Sequence, residues 1–216
     1  YKAYATCAMR EARNGKSVAE QIQKECDLNI EIISGTKEAE TIFAGGMNEV
    51  VDDDKTYLYV DVGGGSTEVI VYSKSVKVEA CSFPLGTVRM LNDAVDKEEM
   101  KHFKKWLKNI TEKYTPDAII GSGGNINKIH KLLNKKERER ITYQELDILY
   151  EYMKSFNLEE RERIMKLNTY DVIIPAMKIF LTVGKICKIN EIIVPKLGLS
   201  DGIIRLLYEE ERRGRV

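Results

Sequence analysis

From Thr56 onward the apolar positions gather first into strand-length runs and then into helical stripes. Tyr57–Val60, Thr67–Tyr72 and Lys77–Phe83 are such runs, rich in β-branched and aromatic residues and separated by the turn-forming stretches Gly63–Ser66 and Ser73–Ser75. They predict three consecutive strands joined by hairpins. In Asp96–Tyr114, Phe103, Trp106 and Ile110 recur at three- and four-residue spacing, the stripe of an amphipathic helix. Strand Ala118–Gly121 and helix Ile126–Leu133 follow, then helices over Ile141–Phe156 and Leu158–Lys166. Thr142, with Glu145 three residues on, is the expected cap of the first of these. An apolar helix Val172–Cys187 is expected to be interrupted by Pro175, and strand Glu191–Val194 and helix Ser200–Arg213 complete the pattern. The order predicts an α/β lobe with a mixed five-stranded sheet.

The first quarter has a shorter rhythm. Tyr4–Ala8 reads as a strand, Met9–Asn14 as a helix start, and Ser17 as the cap of a helix over Val18–Cys26, with Glu20 at the capping-box position. Asn29–Ile33 reads as a strand, and Thr36 as the cap of a helix stopped by Gly45 and Gly46. The polar turn Asp52–Lys55 is the expected boundary, with residues 1–52 in one lobe and 56–216 in another.

Composition narrows the function classes. The 216 residues carry 34 Lys+Arg against 34 Asp+Glu, so no global basic field exists to hold a nucleic acid polymer. A polyanionic ligand must be met by a local patch. The run Lys135–Arg140 mixes both signs and reads as a solvated loop. No apolar run reaches membrane-spanning length and no signal-peptide pattern is present, so the expected partners exclude a membrane. Cys7, Cys26, Cys81 and Cys187 form no CxxC pair and read as buried free thiols of a cytoplasmic protein. His102 and His130 stand alone, without metal-ligand spacing.

The densest chemistry lies in Asp61-Val62-Gly63-Gly64-Gly65-Ser66-Thr67-Glu68. Three glycines let backbone N–H groups approach an anion, and the hydroxyls add donors. The flanking Asp61 and Glu68 can each hold a divalent cation directly or through water, and Glu68 can also act on a water. Gly121-Ser122-Gly123-Gly124 is a second glycine turn before a helix, where Gly123 and Gly124 can offer N–H groups to an anion or simply make a tight turn. Arg10, at a strand-to-helix junction, offers a permanently charged bidentate donor. Glu38 opens a helix, where a carboxylate favours the positive end.

Five segments in order resemble one family over nearly the whole chain: Ala5–Asn14, Ile33–Ala39, Val60–Glu68, Pro84–Arg89 and Gly121–Asn125. They resemble the exopolyphosphatase/guanosine pentaphosphate phosphatase (Ppx/GppA) family of the actin-like ATPase superfold. The resemblance implies a ribonuclease-H-like second lobe and part of a first lobe, whose Asp-x-Gly-Ser-Asn-Ser phosphate loop is absent from this sequence. It implies a phosphohydrolase that releases terminal phosphate from polyphosphate or guanosine pentaphosphate, with Mg²⁺ as cofactor and a homodimer as a form to look for. By the same resemblance Glu38 is the general base. Arg10, Gly63, Gly64, Gly65, Ser66, Gly123 and Gly124 meet phosphate, and Asp61 and Glu68 serve the metal. Four positions depart from the family pattern: Cys7 stands for Ser or another small polar residue and reads as structural, Glu40 stands for Arg, and Ser200 and Asp201 for Arg and Glu. Two other readings stand beside this one. A kinase of the same superfold would need a purine pocket, and a binding module would hold phosphate without turnover.

Overall fold

The computed structural model describes residues 1–46, 51–165 and 172–214. They form two units, Tyr1–Val51 with Leu197–Val216, and Asp52–Lys196.

The first unit begins with β1 (Ala3–Ala5), α1 (Cys7–Glu11) and α2 (Gly15–Cys26), followed by β2 (Ile30–Ile32) and α3 (Gly35–Ala44). β1 and β2 pair in parallel, Ala3 opposite Ile30 and Ala5 opposite Ile32. The expected cap Ser17 lies inside α2, which starts after Asn14. Gly15 permits the earlier start, because a Cβ there would sit 2.0 Å from Met9 O. Ser34, rather than Thr36, caps α3: its hydroxyl accepts from Lys37 N at 3.1 Å.

The second unit starts at Asp52. Its sheet runs through β3 (Thr56–Val62), β4 (Thr67–Ser73), β5 (Val76–Phe83), β6 (Ala118–Ser122), β7 (Ile141–Thr142) and β8 (Glu191–Ile193). Its helices are α4 (Thr87–Leu91), α5 (Lys97–Tyr114), α6 (Gly124–Leu132), α7 (Tyr143–Lys154), α8 (Leu158–Met165) and α9 (Ile173–Cys187). The expected helix residue Lys166 lies outside the described residues. Strand order is β5-β4-β3-β6-β8-β7, antiparallel through β5-β4-β3, parallel through β3-β6-β8, and antiparallel again at β7. The ribonuclease-H-like order is there, with six strands instead of five. The extra strand is the two-residue β7, which the sequence reading takes as the start of helix Ile141–Phe156. Thr142 ends it and opens α7 through the predicted capping box, with Glu145 as the reciprocal partner.

One face of the sheet carries the core. Leu58, Val60, Val62, Val69, Val71 and Ile119 pack with Phe103, Leu107 and Ile110 of α5 and with the apolar α9. Each fully buried large side chain contributes about 1.5–3 kcal/mol. Phe83 meets Phe103 edge-to-face at 4.9 Å and Trp106 at 5.6 Å, so Trp106 flanks the core and Leu107 replaces it in the buried stripe. Pro175 does not interrupt α9. It sits in the first turn, where N–H groups have no intrahelical acceptor to lose.

Two cations of the charged run after α6 are paired within the second unit. Lys135 binds Glu145 at 2.7 Å and approaches Glu139 at 3.8 Å, and Arg140 pairs with Glu191. Of the cysteines only Cys187 is buried, whereas Cys26 is exposed and Cys7 and Cys81 are half-buried. The expectation of four buried thiols fails because Cys26 falls on the solvent side of α2.

The largest departure is α10 (Leu199–Arg213). Sequence order assigns it to the second lobe, yet it groups with the first unit and packs on α3. The helices meet backbone to backbone, because a Cβ on Gly202 would lie 1.9 Å from Thr41 O. A hydrophobic stripe on a helix names no partner, so pattern alone could not assign α10.

Gly202→Ala is therefore expected to lower stability by about 1–3 kcal/mol through overpacking, measured by urea unfolding. A change near zero would mean that α10 does not rest on α3 this closely. A second expectation concerns acid. The hydrogen bond from Lys135, then those from Thr142, hold the Glu145 carboxyl below its ordinary value of 4.5. Its contribution to stability is then complete above that pH and is lost as pH falls through the lowered folded value. Glu145→Gln should flatten this acid limb in urea titrations run across pH 2–7.

Candidate functional site

In the second unit the glycine turn Gly63–Ser66 is held from behind. β3 ends at Val62 and β4 begins at Thr67, and Gly63 N donates to Ser66 O at 2.9 Å to close the turn. The carbonyls of the three glycines are bound by α4. Thr87 N donates to Gly63 O (3.0 Å), Val88 N to Gly64 O (2.9 Å) and Arg89 Nε to Gly65 O (2.7 Å). Helix α4 thus satisfies its first N–H groups on this loop instead of on a side-chain cap. The segment before α4 is pinned in turn, since buried Thr67 donates its hydroxyl to Leu85 O. Gly86 is obligatory at this crossing, where a Cβ would lie 2.1 Å from Gly64 O. With the carbonyls engaged on one side, the N–H groups of Gly64, Gly65 and Ser66 donate to no backbone carbonyl among the described residues. That arrangement suits an anion.

A polar row crosses the sheet beside this loop. Ser82 on β5, Glu68 on β4, Asp61 on β3 and Ser122 on β6 are successive register partners. Register partners share a face of the sheet. Glu68 is buried, and its Oε1 accepts from Ser66 Oγ at 2.7 Å and from Ser82 Oγ at 3.1 Å. Asp61 stands directly opposite Glu68, and two like charges in that position repel unless a cation comes between them. Asp61 also reaches the start of α6, where its Oδ1 lies 2.6 Å from the place a Cβ on Gly123 would take. Gly123 has φ +91°, and Asn125 Nδ2 ties α6 to Val62 O at 2.8 Å. Among the described residues no three of His, Cys, Asp and Glu come together as a metal cluster. Magnesium needs only one or two carboxylates beside water and phosphate oxygens, and the Asp61–Glu68 pair fits that donor set.

In the first unit Arg10 and Glu38 come together. Arg10 Nη1 donates to Ile33 O at 2.8 Å and lies 3.9 Å from Glu38 Oε2. Each side chain is about a quarter exposed, Arg10 at 26% and Glu38 at 23%. Glu38 stands in the first turn of α3, behind the Ser34 cap. Cys7 Sγ contacts Glu11 within its own helix at 3.6 Å, consistent with a structural role.

The sequence pattern marks the glycines, acids and loop hydroxyls but assigns no role to Ser82, Gly86, Arg89, Ser122 or Asn125. Pro84–Arg89 and Gly121–Asn125 are motif segments, and that was the available signal. What they grip became visible only in three dimensions.

The model of the Ppx/GppA phosphatase family matches residues 2–211. A Vibrio parahaemolyticus protein named guanosine-5'-triphosphate,3'-diphosphate pyrophosphatase is 25% identical over 98% of this chain and 45% of its own length. The chain thus spans about half of that relative. An Aquifex aeolicus Ppx/GppA family crystal structure superposes with TM-score 0.77 at 26% identity, covering 97% of this chain and 74% of that one. An exopolyphosphatase structure from Cytophaga hutchinsonii gives TM-score 0.80 at 22% identity, covering 97% and 75%, and shares the fold.

Gly86→Ala tests the clamp behind the loop. Overpacking against backbone should cost about 1–3 kcal/mol, and amide exchange at Thr87 and Val88 should quicken as their loop acceptors move away. Unchanged exchange at both amides would show that α4 does not hold the loop.

Proposed function

The chain belongs to the Ppx/GppA phosphatase family, and from that premise we propose that it is the catalytic part of a phosphohydrolase. It releases terminal phosphate from inorganic polyphosphate or guanosine pentaphosphate by attack of water. The observation that carries this reading is the glycine turn whose carbonyls are bound by α4. A rigid turn with outward N–H groups stabilises the charge of a transferred phosphoryl group without reorganising.

Roles follow from chemistry. The N–H groups of Gly64 and Gly65, with Ser66, bind phosphate oxygens, while the expected Gly63 N–H is spent closing the turn on Ser66 O, and Gly123 and Gly124 add donors at the start of α6. Asp61 holds Mg²⁺ directly or through water, and Glu68, oriented by two serine hydroxyls, shares that duty. Bound magnesium would neutralise phosphate charge. Glu38 orients the attacking water as general base. Arg10, 3.9 Å from it, supplies a guanidinium to phosphate and keeps Glu38 beside a positive charge. Hydrolysis needs no covalent intermediate here, and a base placed for water favours it over transfer to an acceptor. The four free cysteines support a reducing, cytoplasmic setting. No helix among the described residues is long and apolar enough to cross a membrane.

In the full-length enzyme Glu38→Gln should lower phosphate release by about 10²–10⁴-fold with substrate binding largely kept, the usual effect of losing a general base. Asp61→Asn should instead raise the magnesium concentration needed for half-maximal rate. Near-wild-type turnover in Glu38→Gln would remove it as the base. Gly64→Val should abolish inorganic phosphate binding by the folded chain; retained binding would place the anion elsewhere.

A further inference from the structure

Ser122 is 2% exposed, and among the described residues its hydroxyl has no hydrogen-bond partner. Such a group costs stability unless something else satisfies it. Its place is informative. Ser122 is the register partner of Asp61 and ends the polar row Ser82–Glu68–Asp61–Ser122. The other serine of the row, Ser82, binds Glu68. Ser122 has no such bond, although it stands next to a carboxylate.

Asp61 bears on what can satisfy it. With Oδ1 at the start of α6, that helix end already faces a negative charge, so a bare anion beside Ser122 would be repelled. A hydrated divalent cation on Asp61 reverses the sign. Its coordinated waters are strong donors, and a buried hydroxyl one strand away is a suitable acceptor. We propose that Ser122 is a positioning residue for the cation, accepting a hydrogen bond from one of its waters of hydration. The proposal rests on the cation-binding reading of Asp61. It explains why a hydroxyl is kept buried without a protein partner, since the cost falls on the metal-free state and is recovered when the hydrated ion binds.

Mn²⁺ alone serves as the probe, with free ion read by electron paramagnetic resonance on the 216-residue chain, alongside thermal unfolding of the metal-free protein. Ser122→Ala should weaken the tightest Mn²⁺ site by about ten-fold, the lower end of the loss when an outer-sphere partner is removed. Ser122→Thr, which keeps the hydroxyl, should retain most of the affinity. Metal-free Ser122→Ala should melt at a higher temperature, because an unpartnered hydroxyl has been replaced by hydrogen. Wild-type Mn²⁺ affinity in Ser122→Ala, with binding lost in Asp61→Asn, would overturn the role of Ser122 alone. Wild-type affinity in both variants would overturn the Asp61 reading as well. A lower melting temperature for metal-free Ser122→Ala would mean that the fold itself bonds the hydroxyl, and would also overturn the proposal.

Discussion

The donation of α4's first N–H groups to the carbonyls of Gly63 and Gly64 is the interaction on which the anion loop depends. A peptide group presents its donor and acceptor in opposite directions. Binding the carbonyls therefore sets where the N–H groups point. Arg89 repeats the constraint at Gly65 with a charged donor at 2.7 Å, and Thr67 anchors the approach to α4 through Leu85 O. The loop's rigidity is thus borrowed from a five-residue helix that would be marginal alone. Gly86 allows the two backbones to come close enough for these bonds to form.

The second constraint is electrostatic. Antiparallel pairing sets Asp61 opposite Glu68, and the parallel pairing of β3 with β6 sets Ser122 opposite Asp61. The polar row sits at the strand ends, while the rest of the same strands is closely packed: Val60, Val62, Val69 and Val71 are at most 1% exposed. Burial of these neighbours holds the carboxylates in place. Two acids forced together favour a cation between them more than either acid alone would. In the first unit the corresponding pairing has opposite signs: Arg10 and Glu38, at 3.9 Å, are held by the Ile33 carbonyl and the Ser34 cap.

By itself the sequence determined the strands from Thr56 to Phe83, the α5 helix and the Thr142–Glu145 capping box. Each is local, set by side-chain period or by turn and cap residues within a few positions. The acids flanking the glycines, and the placing of Glu38 in a first helical turn, were legible for the same reason. Tertiary structure decided what periodicity cannot encode. Ile141–Thr142 became a strand because β8 offered it an edge. Pro175 proved harmless because α9 begins just before it. Helix α10 joined the first unit because Gly202 fits against Thr41. The loop's grip by Arg89, and the alignment of Ser122 with Asp61, join residues 24 and, by numbering, 61 positions apart. Such pairings follow from strand order and register, and those are settled by the packing of the whole sheet.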